Sequence, residues 1–209
     1  MKKDYEYNIT GIFPTPILIS SIGRDFTEEE LECIKSYHEL STKNVGNVSS
    51  QEKYILHSES SLKDLWTDCQ NLLNCFVQKV HVPQTDVQPY ITQSWLNYTK
   101  EKEYHHKHFH YNSFLSGVLY IDVDQDNDKI AFHNESQSLL YLTPKEHNPF
   151  NCETWTFDLK PGMVIIFPSY LYHSVETKVG TNVRTSLAFN SFVRGDIGVY
   201  NDATELKLP

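Results

Sequence analysis

Four of the ten histidines fall within six residues, at His105, His106, His108 and His110. A neutral imidazole is the commonest side-chain metal ligand. Two of them at i and i+2 lie on one face of an extended chain, so His108 and His110 can reach a single ion. His173 comes 63 residues after His110 and opens a further extended segment, His173 to Glu176, that can bring a third imidazole. His106 with His108 has the same i, i+2 spacing, whereas His105 falls outside it. Taken alone, the histidine run also reads as a solvated, partly basic loop, so its companions carry weight.

The first companion is Arg184, eleven residues beyond His173. On the stretch 183–190, Val183, Thr185, Leu187 and Phe189 alternate with Arg184, Ser186, Ala188 and Asn190. One face is apolar and the other carries a guanidinium, a hydroxyl and an amide. Such groups are costly to bury unpaired. They make sense lining a cavity for an anion, because a guanidinium fork pairs bidentately with a carboxylate. The second companion is Asn97, on the extended stretch before the histidines.

The elements that must position these residues show in the periodicity. Gly11 to Ile19 reads as an extended segment at a sheet edge, because Pro14 and Pro16 cannot donate to a central ladder. Thr27 with Glu30 forms a capping box ahead of Leu31, Ile34 and Tyr37, which repeat at helical spacing. Residues 40–55 read as loop. A longer helix starts near Ser61, with an apolar stripe of Leu62, Leu65, Trp66, Cys69, Leu72, Leu73, Phe76 and Val80, and closes at His81-Val82-Pro83. From Gln88 the period changes to two. Strands are predicted there and at about 114–122, 129–133, 138–142, 154–159, 163–167, 172–176 and 183–193. Roughly eight strands with turn signals between them suggest a sandwich or barrel, with two helices covering one sheet from outside. The expected organisation is one domain over 1–209: an edge strand and supporting helices over 1–87, a barrel core over 88–196 and a tail over 197–209.

The bulk composition narrows the function. Of the 209 residues, 39% are hydrophobic and 13% aromatic, which suits a folded globule. The net charge of -9 argues against duplex nucleic acid or an anionic membrane as partner. Cys33, Cys69, Cys75 and Cys152 contain no CxxC pair and read as reduced thiols of a cytoplasmic protein. Met1 to Glu6 leads into no long apolar run, so no secretory signal is expected. Met163 to Phe167 is too short to span a bilayer.

His108-Phe109-His110, His173 and Arg184-Thr185-Ser186 together resemble the pattern of the 2-oxoglutarate/iron(II) oxygenase superfamily. More specifically, the stretches 94–97, 108–120 and 161–173, with the closing 192–198 and 204–206, are similar to an uncharacterised branch of such oxygenases from marine bacteria and tailed phages. The resemblance implies a double-stranded β-helix, or jelly roll, of the cupin-like barrel type, mainly β with N-terminal helices. It implies iron(II) on His108, His110 and His173. It also implies that 2-oxoglutarate is held by Arg184 and Ser186, with Asn97 matching a cosubstrate contact seen in some nucleic-acid-demethylating members. Dioxygen would be the oxidant and ascorbate a supporting reductant. The expected activity is hydroxylation of a peptidyl side chain or a small metabolite.

One position departs from the family. His110 stands where Asp or Glu is usual in the two-histidine, one-carboxylate triad. An imidazole fills the same position without charge, so the centre stays dipositive and favours a dianion such as 2-oxoglutarate. His106 and Asp122 are alternative ligands. Two other functions compete: a cupin-type metal protein that works without 2-oxoglutarate, and a catalytically silent barrel serving as a binding module. The first lacks the glutamate usual four or five residues beyond the second histidine, where Phe114 and Leu115 stand, and leaves Arg184 unexplained.

Overall fold

The computed structural model describes residues 5–135, 140 and 142–209. In chain order the elements are β1 (Leu18–Ser21), α1 (Glu28–Glu39), β2 (Ser41–Lys43), β3 (Val48–Ser50), α2 (Ile55–Ser58), α3 (Lys63–Phe76), β4 (Val87–Thr99), β5 (His105–His108), β6 (Leu115–Asp122), β7 (Lys129–His133), β8 (Thr154–Asp158), β9 (Met163–Pro168), β10 (Tyr172–Val175), β11 (Arg184–Ile197) and β12 (Leu206–Leu208). The strand predicted at 138–142 lies, but for Leu140 and Leu142, outside the described residues. Among the described residues no helix is long and apolar enough to cross a membrane. The four cysteines are unpaired.

Local chemistry explains the helices. The Thr27 hydroxyl accepts from the Glu30 amide, and the Glu30 carboxylate accepts from the Thr27 amide, closing the capping box at the start of α1. Glu30 is buried because Arg24 donates to both its oxygens, at 2.9 and 2.7 Å. Leu31, expected on the apolar stripe, is exposed, and Ile34 carries the contact instead. Helix α3 buries Leu65, Cys69, Leu73 and Phe76. The helix widens into a π-turn over Val77–His81, which shifts the phase and leaves Val80 exposed.

The strands form two antiparallel sheets. The larger runs β1-β9-β6-β11-β4-β3-β2, with β12 added to β11; the smaller runs β5-β10-β7-β8. This is a double-stranded β-helix. Of the segment 11–19 expected as an edge strand, only the end is strand: β1 begins after both prolines and lies at the sheet edge, pairing with β9 alone. Residues 41–50, read as loop, instead make the hairpin of β2 and β3, whose strands are only three residues each and carry little periodic signal. One apolar cluster lies between the helices and the larger sheet, joining Ile34, Leu65, Leu73 and Phe76 to Leu96, Leu119, Ile166, Leu187 and Phe189. A second cluster, including Tyr120, Ile130, Phe132, Ile165 and Phe167, fills the space between the sheets.

The helix-facing side of the larger sheet contains one tight approach. Gly117 pairs with Phe189 on β11 and with Ile166 on β9. A Cβ at Gly117 would stand 2.1 Å from the Phe189 ring, which is fully buried. Gly117→Ala is therefore expected to destabilise the fold by about 3 kcal/mol through overpacking. A urea titration checks this, and an unchanged midpoint would show that the ring has room to move.

Candidate metal centre and anion pocket

Strand β5 meets β10 with His108 opposite His173 and His105 opposite Val175. Four residues on β5, 105–108, thus oppose three on β10, 173–175, the signature of a β-bulge. Strict alternation puts His105 and His108 on opposite faces. The bulge brings them to the same one, where their rings stack with centroids 4.8 Å apart. His105 therefore lines the interior cavity, contrary to its expected place outside the histidine pair. A bulge leaves no mark in single-sequence periodicity, which is why spacing alone missed it.

His110 lies just past the end of β5 rather than on it. Its backbone amide donates to the Ser169 carbonyl at 2.9 Å, and its ring stacks on Trp95. Asn190 lies beside this ring and accepts from Ser116, whose hydroxyl lies 2.8 Å from that of Ser169. The ligating atoms of His108, His110 and His173 all lie within 4.8 Å of one another. His106 belongs to a second such group, with His105 and His108. Asp122 enters neither group; its carboxylate accepts from Asn182 at the end of β6.

Two backbone contacts fit this arrangement to a metal. Nδ1 of His108 lies 2.8 Å from the His106 carbonyl, and Nδ1 of His173 lies 3.0 Å from the Leu171 carbonyl. A carbonyl only accepts, so each Nδ1 carries the proton and each Nε2 is left as a lone-pair donor. This is the outer-shell pattern that fixes tautomer and ring orientation at metal sites.

Burial and mutual proximity also keep the imidazoles neutral. Burial, then His108, pushes His110 down to about 4, with Asn190 opposing. Burial followed by the neighbouring histidines takes His105 to about 3 and His173 well below the usual range. An unfolded imidazole takes its proton near 6.5, and these folded ones only far below that. Between those values protons bind the unfolded chain preferentially, so stability is fully present above about pH 6.5 and is lost as the pH falls. The metal-free protein is expected to lose roughly 5 °C or more in Tm between pH 7 and pH 5. His110→Phe should flatten that slope. A wild-type Tm constant over the range would contradict the neutral cluster.

The side expected to bind an anion departs from that reading, since Arg184 lies behind the cavity rather than on its border. Arg184 is buried, but its guanidinium donates to Asp128 Oδ1 at 2.8 Å and to the Glu176 carbonyl at 3.1 and 3.2 Å. Lys178, also fully buried, approaches the other Asp128 oxygen at 3.6 Å. Two buried cations thus share one carboxylate, which leaves one positive charge in excess. The cavity itself is bordered by Asn97, Tyr120, Ser186, His105 and the three clustered histidines. Among the described residues, Asn97 Oδ1 and the Tyr120 hydroxyl are buried without a hydrogen-bond partner, and both border this cavity. Orphaned buried polar atoms are rare and call for an occupant. Sequence reasoning found Asn97 and Ser186 but missed Tyr120, Asp128 and Lys178, whose types and spacing carry no signal until the strands pair.

Residues 93–190 match a family model described as "Putative 2OG-Fe(II) oxygenase". No curated protein sequence matches the chain. Several solved structures share the fold. One is an oxidoreductase of the 2OG-Fe(II) oxygenase family from Burkholderia pseudomallei, at TM-score 0.53 and 16% identity, covering 84% of this chain and 83% of that one. Another is a Pseudomonas putida prolyl-4-hydroxylase, at 0.53 and 14%, covering 84% and 92%. A third is HygX from Streptomyces hygroscopicus with nickel, 2-oxoglutarate and hygromycin B bound, at 0.56 and 12%, covering 85% and 82%.

Proposed function

We propose, for a chain that carries a domain of the 2OG-Fe(II) oxygenase family over residues 93–190, that it is an iron(II)- and 2-oxoglutarate-dependent dioxygenase that hydroxylates a small-molecule or peptidyl substrate. The observation that carries this is the His108–His110–His173 cluster opening onto a cavity with orphaned polar atoms. Iron(II) bound there would supply the oxidising chemistry: 2-oxoglutarate loses carbon dioxide to become succinate, one oxygen atom entering succinate and the other the substrate.

The residues around that chemistry have distinct tasks. His108, His110 and His173 would hold the metal through neutral imidazoles, which add no charge to it. Asn97, Tyr120 and Ser186 border the cavity; the two hydroxyls can donate to a bound dianion, and the Asn97 amide can do so only through its NH2, since Oδ1 accepts. Arg184 adds the excess positive charge of its cluster with Asp128 and Lys178. An anion near a desolvated guanidinium is held more strongly than in water.

The substrate would approach across Phe132 and Tyr172. Phe132 has its ring 6.3 Å from that of His173, and Tyr172 immediately precedes His173 in the chain. Both line a groove of about 840 Å³ together with Trp155, Phe157 and Tyr170. That volume falls in the usual range for small-molecule sites, which favours a small or extended substrate over a folded surface.

The protein loaded with iron and given ascorbate and 2-oxoglutarate is expected to form succinate without added substrate. Arg184→Met should keep its iron and raise the 2-oxoglutarate KM at least about tenfold, the scale of a charge-assisted bond lost. Lys178 remains to neutralise Asp128 in that variant, so the comparison isolates the guanidinium. Unchanged 2-oxoglutarate binding by calorimetry would remove the anion-binding role of Arg184, and no succinate from iron-loaded protein would sink the oxygenase assignment.

A further inference from the structure

Two clusters of imidazoles share one residue. His108, His110 and His173 form the inner group, and His105, His106 and His108 form an outer group whose ligating atoms also lie within 4.8 Å of one another. The outer rings are mutually packed. His106 and His108 have centroids 4.7 Å apart, His105 and His108 4.8 Å, and His105 and His106 5.5 Å. Adjacent residues on a regular strand point to opposite faces. The β5 bulge alone makes this three-way contact, by changing the phase between His105 and His108.

The free nitrogens decide what the arrangement can hold. Nδ1 of His108 is committed to the His106 carbonyl at 2.8 Å, so only its Nε2 can ligate. Nδ1 of His106 faces the Val45 carbonyl at 3.4 Å, which likewise leaves its Nε2. One imidazole Nε2 binds one ion. We propose that His105, His106 and His108 form a second site for a divalent ion of the zinc or copper type, and that filling it and filling the inner site are mutually exclusive because both need Nε2 of His108. The set contains three imidazoles and no carboxylate. Such a set selects zinc, copper or nickel over magnesium or calcium, and binds them more tightly than iron(II). All three members of the outer group are partly exposed, whereas the inner group includes the buried His173.

The second site does not depend on the oxygenase function; only the identity of the competing inner ion does. Zinc alone is the probe, measured by equilibrium dialysis on the full chain. The wild type is expected to bind one equivalent, not two. His110→Ala with His173→Ala removes the inner group and should still bind one equivalent. Adding His106→Ala to that pair should abolish binding. The volume-preserving pair His110→Gln with His173→Gln replaces the alanine pair if circular dichroism shows that the latter does not fold. Two equivalents on the wild type would overturn the exclusivity. No zinc on the folded double variant, or undiminished zinc on the triple variant, would overturn the site.

Discussion

Replacing His108 by alanine is expected to remove bound iron and to lower succinate formation at least about a hundred-fold, since even the outer-shell partners of metal ligands cost ten- to a hundred-fold when lost. His108 is the hub of the cluster. Its ring lies 4.3 Å from that of His173, 5.0 Å from that of His110, and under 5 Å from those of His105 and His106. It is the one imidazole common to both groups, so neither can re-form around its absence. His106→Ala is the informative comparison, because it leaves the inner three in place. Metal analysis after dialysis, with succinate assayed in parallel, checks both. If His108→Ala kept its iron, or if His106→Ala lost as much, the inner assignment would be wrong.

The second large effect concerns stability. Asp128→Ala is expected to cost about 3–5 kcal/mol, the penalty for stranding buried charge. Arg184 and Lys178 have 4% and 0% of their side-chain surface exposed, and Asp128 is the carboxylate they share. Asp128 also accepts from the Asp124 amide at 2.8 Å, which holds the turn between β6 and β7. Removing one cation as well should recover part of the loss, so Asp128→Asn with Lys178→Met is expected to be more stable than Asp128→Asn alone. Denaturant titrations of the three variants test this. An Asp128→Ala protein with a wild-type midpoint would mean that water or a counter-ion already satisfies the two cations.

Under the proposed function the same cluster would bear on cosubstrate binding. A carboxylate would meet an Arg184 already oriented by Asp128 and by the Glu176 carbonyl. The guanidinium loses little rotamer freedom on binding, which lowers the entropic cost of holding the anion. Lys178 keeps the net charge of the buried group positive, without which Asp128 would repel the anion.

How much of this was legible before folding depends on the range of each interaction. The capping box at Thr27 and Glu30, the apolar stripe of α3 and the two-residue period of β11 are local patterns, set by hydrogen bonds and side-chain alternation within a few residues. They determined the helices and most of the strands, and the alternation on β11 placed Ser186 and Arg184 on one face. The histidine spacing with Arg184 was enough to name His108, His110 and His173 as a group. The rest was decided by contacts between segments far apart in the chain. The bulge that turns His105 inward exists only because β10 pairs with β5. Asp128 meets Arg184 across 56 residues of sequence, and no local pattern marks either partner for the other. Tyr120 is one aromatic among many until Ser186 pairs with it across the sheet and the cavity closes beside its hydroxyl. Local propensity thus chose the elements and the polar face. Strand pairing and burial chose which charges share a carboxylate and which imidazoles meet, because those energies arise only when distant segments leave water together.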